Sequence, residues 1–426
     1  ADLQVSPTTR VKGRQYILHE LMTRGWLITI LGALLGAQSA PAQTSYNEID
    51  QPPHLYWQRP LADRFTKLKD DLEDGRIPFD YSSEKAFVLS LLKTLEIPAA
   101  SQMLVFSTTS LQMNRISPRN PRALYFSDDL YVGFVPGGRI EIVSLDPELG
   151  GIFYIFDIPK KDEPLRIERS NRCMNCHAGE DTRRLPGLLV KSVVPGPTGG
   201  SLNAFRLEET GHSIPFDQRF GGWYVTGHGN LTNHWGNLTG RLSADGLTKY
   251  PIEPGTLFDF ARYPVPSSDL LPQLVHEHQA GFVNRVIEAS YRARTYLHAG
   301  HGRLSTAHAE ELDKQARELT RYLLFADEAP LPAEGVEGDA GFKADFLKTR
   351  RQAANGSSLR DFDLRTRLFK HRCSYMIYGV MFQGLPKEMK DRVYRSLSEA
   401  LQGENPGPEF AYLPSAEKVV LRSILK

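Results

Sequence analysis

The sequence predicts an α+β protein, with a β-rich middle and a helical C-terminal part. Two textures and one motif predict it. Short runs rich in branched and aromatic residues, separated by Pro, Gly, Asn and Asp, crowd residues 103–266. Longer runs of helical periodicity fill 267–426. Among the strand candidates stands RCMNCHAGE, residues 172–180, which sets Cys173, Cys176 and His177 in the pattern C-x-x-C-H.

Taken in order, the chain begins with residues 1–42, which read as material to be removed. From Met22 the sequence is MTRGWLITILGALLGAQSAPAQ: a short n-region with Arg24, an apolar run from Trp26 to Ala37, and Ala40-Pro41-Ala42 as an A-x-A cleavage site. The apolar run is too short for an anchor that spans a bilayer. Residues 1–21 are polar, mixed and lack an initiating Met, so the expected start is Met22; a longer n-region is the alternative. Cleavage after Ala42 would move the formal net charge from +1 to about −1, which argues against nucleic acid or an anionic membrane surface as main partner. The mature chain contains no transmembrane candidate, and its expected location is the periplasm.

Residues 43–102 form a helical N-terminal segment, with LADRFTKLKDDLEDG amphipathic and charged and SEKAFVLSLLKTLEI more apolar and closed by Pro98. The β-rich region, 103–266, offers MLVFS, ALYF, YVGFV, IEIVSL and IFYIFDI as strands, with Pro136-Gly137-Gly138 as a hairpin turn. After the C-x-x-C-H motif, LPGLLVKSVVP and GGWYVTG are two further strand candidates. In 267–426 helices are expected at 268–295, 304–325, 360–383, 386–402 and 415–425, packing on the β-rich region, with PAEGVEGDAG (332–341) as a loop.

The motif carries the chemistry. Two thiols three residues apart on one helical turn can add across the two vinyl groups of a porphyrin, and the adjoining imidazole then meets the iron. A thioredoxin-like redox pair or half a zinc site also uses C-x-x-C. Zinc would need two more ligands at motif spacing, and the only other cysteine, Cys373, stands far downstream. One covalent haem c at Cys173, Cys176 and His177 is therefore the expected cofactor, consistent with export. Cys373 is left as a buried thiol, an iron ligand or a redox-active group.

The sixth position on the iron separates carriers from catalysts. His278 is the first candidate: Leu271, Leu274, Val275, His278, Phe282 and Val286 share a helical stripe, with His276 off it. A core histidine satisfied by hydrogen bonds fits the same pattern. Met376 and Cys373 share a face with Phe369, Ile377 and Val380, where ordinary packing competes with ligation. His228 and His234 lie in a Gly- and Asn-rich loop suited to close approach of a ligand or to plain loop hydrogen bonds. Trp223 and Tyr224 could pack on a porphyrin edge, and Arg115, Arg119, Arg122 and Arg172 are candidates for its propionates.

ISPRNPRALYFSDDLYVGFVPGG, CMNCHA with LPGLLVKSV after it, GGWYVTGHG, the LVHEHQ helix and RCSYMIYGVMFQGLP together resemble a family of exported, single-haem c-type cytochrome proteins of environmental bacteria. These segments cover most of 103–415. The resemblance implies haem c at Cys173, Cys176 and His177 and brings no reaction with it. Two function classes follow: electron transfer with a periplasmic redox partner protein, or a haem-dependent oxidoreductase acting on a small molecule at an open iron site. The chain's length favours the second class; the family pattern and the absence of an obvious distal acid/base pair favour the first, and a sensor or scaffold that merely holds haem is a third option.

Overall fold

A computed structural model describes residues 49–161, 163–204, 210–227, 231–402 and 407–426. All of these lie in one unit, Ser45–Lys426. The signal-peptide reading at 1–42 falls outside the described residues.

Helix α1 (Arg64–Glu73) starts at Asp63, whose carboxylate accepts the Thr66 N–H, and α2 (Glu84–Thr94) starts at Ser83, which accepts from Ala86 N–H. Each cap satisfies one of the amides a helix start leaves open. The main sheet then assembles from β1 (Met103–Val105), β2 (Arg122–Phe126), β3 (Leu130–Phe134), β4 (Arg139–Asp146) and β5 (Gly150–Asp157). A two-residue β6 (Glu168–Arg169) extends it. The motif helix α3 (Met174–His177) follows, then the small hairpin of β7 (Val193–Pro195) and β8 (Ser201–Ala204), and β9 (Trp223–Tyr224). The strand order is β6-β5-β4-β3-β2-β1-β9, antiparallel throughout. At the β3–β4 connection Gly138 N–H bonds the Val135 carbonyl and Gly137 takes φ +73°, the backbone that a type II turn demands after Pro136.

Because strand side chains alternate, the sheet has two distinct faces. Ala123, Tyr125, Val132, Ile142 and Tyr154 point to one, where α1 and α2 cover them with Phe65, Phe87, Val88 and Leu91. Phe126, Tyr131 and Leu145 point to the other, into the core shared with the C-terminal helices.

That C-terminal part comprises α4 (Leu270–Ala299), α5 (Thr306–Leu323), α6 (Ala340–Leu347), α7 (Val380–Gln383), α8 (Lys387–Gln402) and α9 (Ser415–Ile424), preceded by an exposed hairpin of β10 (Leu238–Ser243) and β11 (Gly246–Pro251). The fold is thus mixed α/β, with a large antiparallel sheet and helices in the C-terminal part. Helix α4 lies between the sheet and the other helices. Every residue from 268 to 283 is buried, so the helix has no solvent face over that length. No helix among the described residues is long and apolar enough to cross a membrane.

Three expectations change. The helix expected at 360–383 is irregular: the Asp363 carboxylate accepts the Arg365 and Thr366 amides, Leu364 adopts φ +62°, and Phe362 bridges to Phe369. Asp satisfies these amides locally and so competes with the helix. Of LPGLLVKSVVP only Val193–Pro195 is strand. The loop expected at 332–341 gives way to α6 at Ala340, capped by Asp339, which accepts from Phe342 N–H.

Candidate haem-attachment site

The motif occupies the one-turn helix α3 and its N-cap Cys173, and the i, i+3, i+4 spacing brings Cys173, Cys176 and His177 to one side of the turn. Cys173 is half-buried beside Ser170, and burial raises its thiol pKa; Cys176 is exposed. His177 is tied down at both levels. Its carbonyl accepts from Gly187 N–H at 2.9 Å and from the Thr182 hydroxyl at 2.9 Å. Its Nδ1 lies 2.8 Å from the Gly187 carbonyl, and since a carbonyl only accepts, Nδ1 carries the proton. Nε2 is left as the ring's lone pair. Burial holds the imidazole pKa down at about 4, so the ring is neutral at pH 7.

Gly187 is itself clamped. Leu188 N–H donates to the Asn284 side-chain oxygen at 2.8 Å, and the Asn284 amide donates to the Leu188 carbonyl at 2.9 Å. The preceding Pro186 carbonyl accepts from Gly151 N–H at 2.8 Å. A side chain at Gly150, φ +82°, would meet that carbonyl at 2.7 Å. The loop is therefore fixed between β5 and α4.

His177 stands over the second sheet face, its ring centroid 4.5 Å from that of Phe153. Along this face the register runs Phe153–Val143–Tyr131–Phe126, with Ile155–Glu141–Gly133–Leu124–Met103 beside it. Val143 and Leu124 are only half-buried, although both lie on interior strands. Arg122 crosses Gly133, where a Cβ would sit 2.7 Å from the guanidinium, and pairs with Glu141 at 2.6 Å. Glu141 also accepts from the Ser110 hydroxyl and the Gln112 amide.

His276 lies on the same face. Its ring centroid is 5.4 Å from that of Phe126 and 5.6 Å from that of Tyr131. Burial, and then the charge of Arg122, lower its pKa to about 4. It borders a cavity of about 10 Å³ with Trp223, Met103, Val190 and Phe220. Sequence reasoning passed over it because it lies off the apolar stripe of α4. The signal that finds it is the unbroken burial of that helix, which only the structure supplies.

The other candidates fall as follows. His278 is wholly buried on the opposite side of α4, because two residues turn a helix by about 200°. His212 Nε2 bonds the Ala326 carbonyl at 3.3 Å, so His212 Nδ1 accepts from His278 Nδ1–H at 2.8 Å. His278 Nε2 then accepts from the Ser374 hydroxyl at 2.8 Å. Both ring nitrogens are engaged. Cys373 and Met376 are buried near that same serine, and burial pushes the Cys373 thiol pKa up. His234 Nδ1 accepts from Gly236 N–H at 2.9 Å, and its ring meets Phe220 edge-on. His228 lies outside the described residues. Trp223 Nε1–H donates to the Lys191 carbonyl at 2.8 Å, and Lys191 pairs with Asp181, just after the motif, at 2.5 Å. Tyr224 belongs to the core on the first sheet face. Arg115, Arg119 and Arg172 are exposed, with Arg115 near the Gly137 turn.

These residues fit a covalent haem in two respects: the donors are two thiols and a lone-pair imidazole nitrogen on one turn, and the sheet row from Phe153 to Phe126 beside them is apolar and half-open at Val143. Among the described residues, no three His, Cys, Asp or Glu side chains group as a protein-only metal site. In comparisons with known proteins, no family model, curated protein or solved structure matches the chain.

Proposed function

We propose that this is an exported c-type cytochrome that holds one haem through Cys173, Cys176 and His177 and passes electrons to and from a periplasmic partner protein. The observation that carries it is the His177 Nδ1–H···O=C bond to Gly187. A backbone carbonyl on Nδ1 fixes the tautomer and ring direction of an iron-binding imidazole and makes its other nitrogen more basic. When bound, haem supplies a one-electron iron couple. The chain's own residues do the rest. Cys173 and Cys176 hold the group covalently, the 186–188 clamp keeps His177 from swinging, and Phe153, Val143 and Leu124 exclude water from one side. With Cys176 and Arg172 exposed, the attachment edge lies at the surface, where a partner protein can approach.

A second reading, a haem-dependent oxidoreductase, is supported by a polar cavity of about 170 Å³ beside the motif, lined by Asp181, Thr182, Arg183, Ser213, Arg285 and Glu288. Expression with functional cytochrome maturation, followed by denaturing electrophoresis and haem staining, tests the attachment. Stain should migrate with the polypeptide and vanish in the Cys173→Ser, Cys176→Ser variant. Carbon monoxide then separates the readings: a closed carrier leaves its reduced spectrum unchanged, and an open site shifts it.

A further inference from the structure

His276 is the one imidazole on the sheet face of α4, and its ring makes no hydrogen bond to any described residue. It is only 6 % exposed. A buried imidazole ordinarily satisfies its polar atoms, as His212 does and as His278 does two residues away. Both aromatic neighbours of His276, Phe126 and Tyr131, belong to the register row that ends at Phe153, the neighbour of His177. Tyr131 and Phe153 are two strands apart, a span of roughly 10 Å at the usual inter-strand spacing. Between them lies Val143, half-buried, with Leu124 half-buried in the adjoining row. The charge of Arg122 reaches both imidazoles. Two neutral imidazoles thus flank a short apolar stretch of one sheet face. One carries a free Nε2, and the other has no partner for either nitrogen.

We propose that His276 supplies the sixth iron ligand, so that the haem is held between His177 and His276. This rests on reading Cys173, Cys176 and His177 as the attachment site. His278 would have to give up the Ser374 hydroxyl to bind iron, and it faces the wrong side of α4. His276 gives up nothing.

The test is the spin state of the haem-loaded protein and its variants. Low-spin absorbance is expected in the unmodified protein and in His278→Ala. His276→Ala should lose it, bind carbon monoxide when reduced, and recover a low-spin spectrum with added imidazole. His276→Met should stay six-coordinate at a higher reduction potential. Imidazole rescue and retained low-spin signal in the Met variant show that the change is ligation and not unfolding. A low-spin spectrum unchanged in His276→Ala, or an unmodified protein already high-spin, overturns the proposal while leaving the attachment site standing. A colourless polypeptide overturns both.

Discussion

At the residue scale, buried His212, His276 and His278 are told apart by what their nitrogens touch. The chain Ala326 carbonyl, His212, His278, Ser374 is a closed hydrogen-bond relay, each member fixing the next tautomer. Ser374→Ala should leave His278 Nε2 buried and unpaired, costing about 1–3 kcal/mol in urea unfolding. The haem spectrum should not change. A spectral change without loss of stability would instead tie His278 to the iron. The C-x-x-C-H motif was legible from sequence because its chemistry is local, three residues on one turn. The direction of His276 was not: a stripe of apolar residues marks one interior, and α4 has an interior on both sides.

Among the elements, α4 shares with β5 the task of fixing the loop that holds His177, through the two bonds of Asn284 to Leu188 on its sheet side. Its start depends on Asp269, whose carboxylate accepts from Leu271 N–H at 2.9 Å and from Asp339 N–H at 3.0 Å. Asp269→Ala should cost about 0.5–2 kcal/mol, and Asp269→Asn, which keeps an acceptor, much less. Thermal unfolding of the pair checks this; equal losses would show that the cap is not the cause. Asn284→Ala removes both bonds to Leu188 and frees Gly187. The expected result is a loss of about 1–3 kcal/mol together with a shifted iron potential, read by redox titration. An unaltered potential would separate the clamp from His177. Strands β2 to β5 and helices α4, α5, α8 and α9 were legible because their periodicities are long and clean. The β10–β11 hairpin was missed because its residues are mostly exposed, so no alternation marks it. Its Asp245-Gly246 turn was the available signal.

For the whole molecule, buried neutral histidines set the response to acid. Burial lowers His54 to about 4 and His278 to about 3, and it holds His212 well below the ordinary 6.5. Their folded pKa values lie below the unfolded ones, so the unfolded chain binds more protons between. The stability is complete above pH 6.5 and is lost as pH falls, by about 1.4 kcal/mol per pH unit for each histidine. Glu328, pushed up to about 7 by burial, opposes them in this window. Together these four groups should take up about two protons on unfolding near pH 5.5. Urea midpoints measured from pH 7.5 down to 5 should fall steadily; a flat or rising profile would mean that these rings reach solvent.

The proposed function stands on one haem bonded to Cys173 and Cys176. The most direct measurement is the intact mass of the protein purified from a host with functional cytochrome maturation, followed by peptide mapping. The expected mass is that of the polypeptide plus one haem, with the added mass on the peptide that contains RCMNCHAGE. A polypeptide mass without haem, from a host that loads other c-type cytochromes, would contradict it.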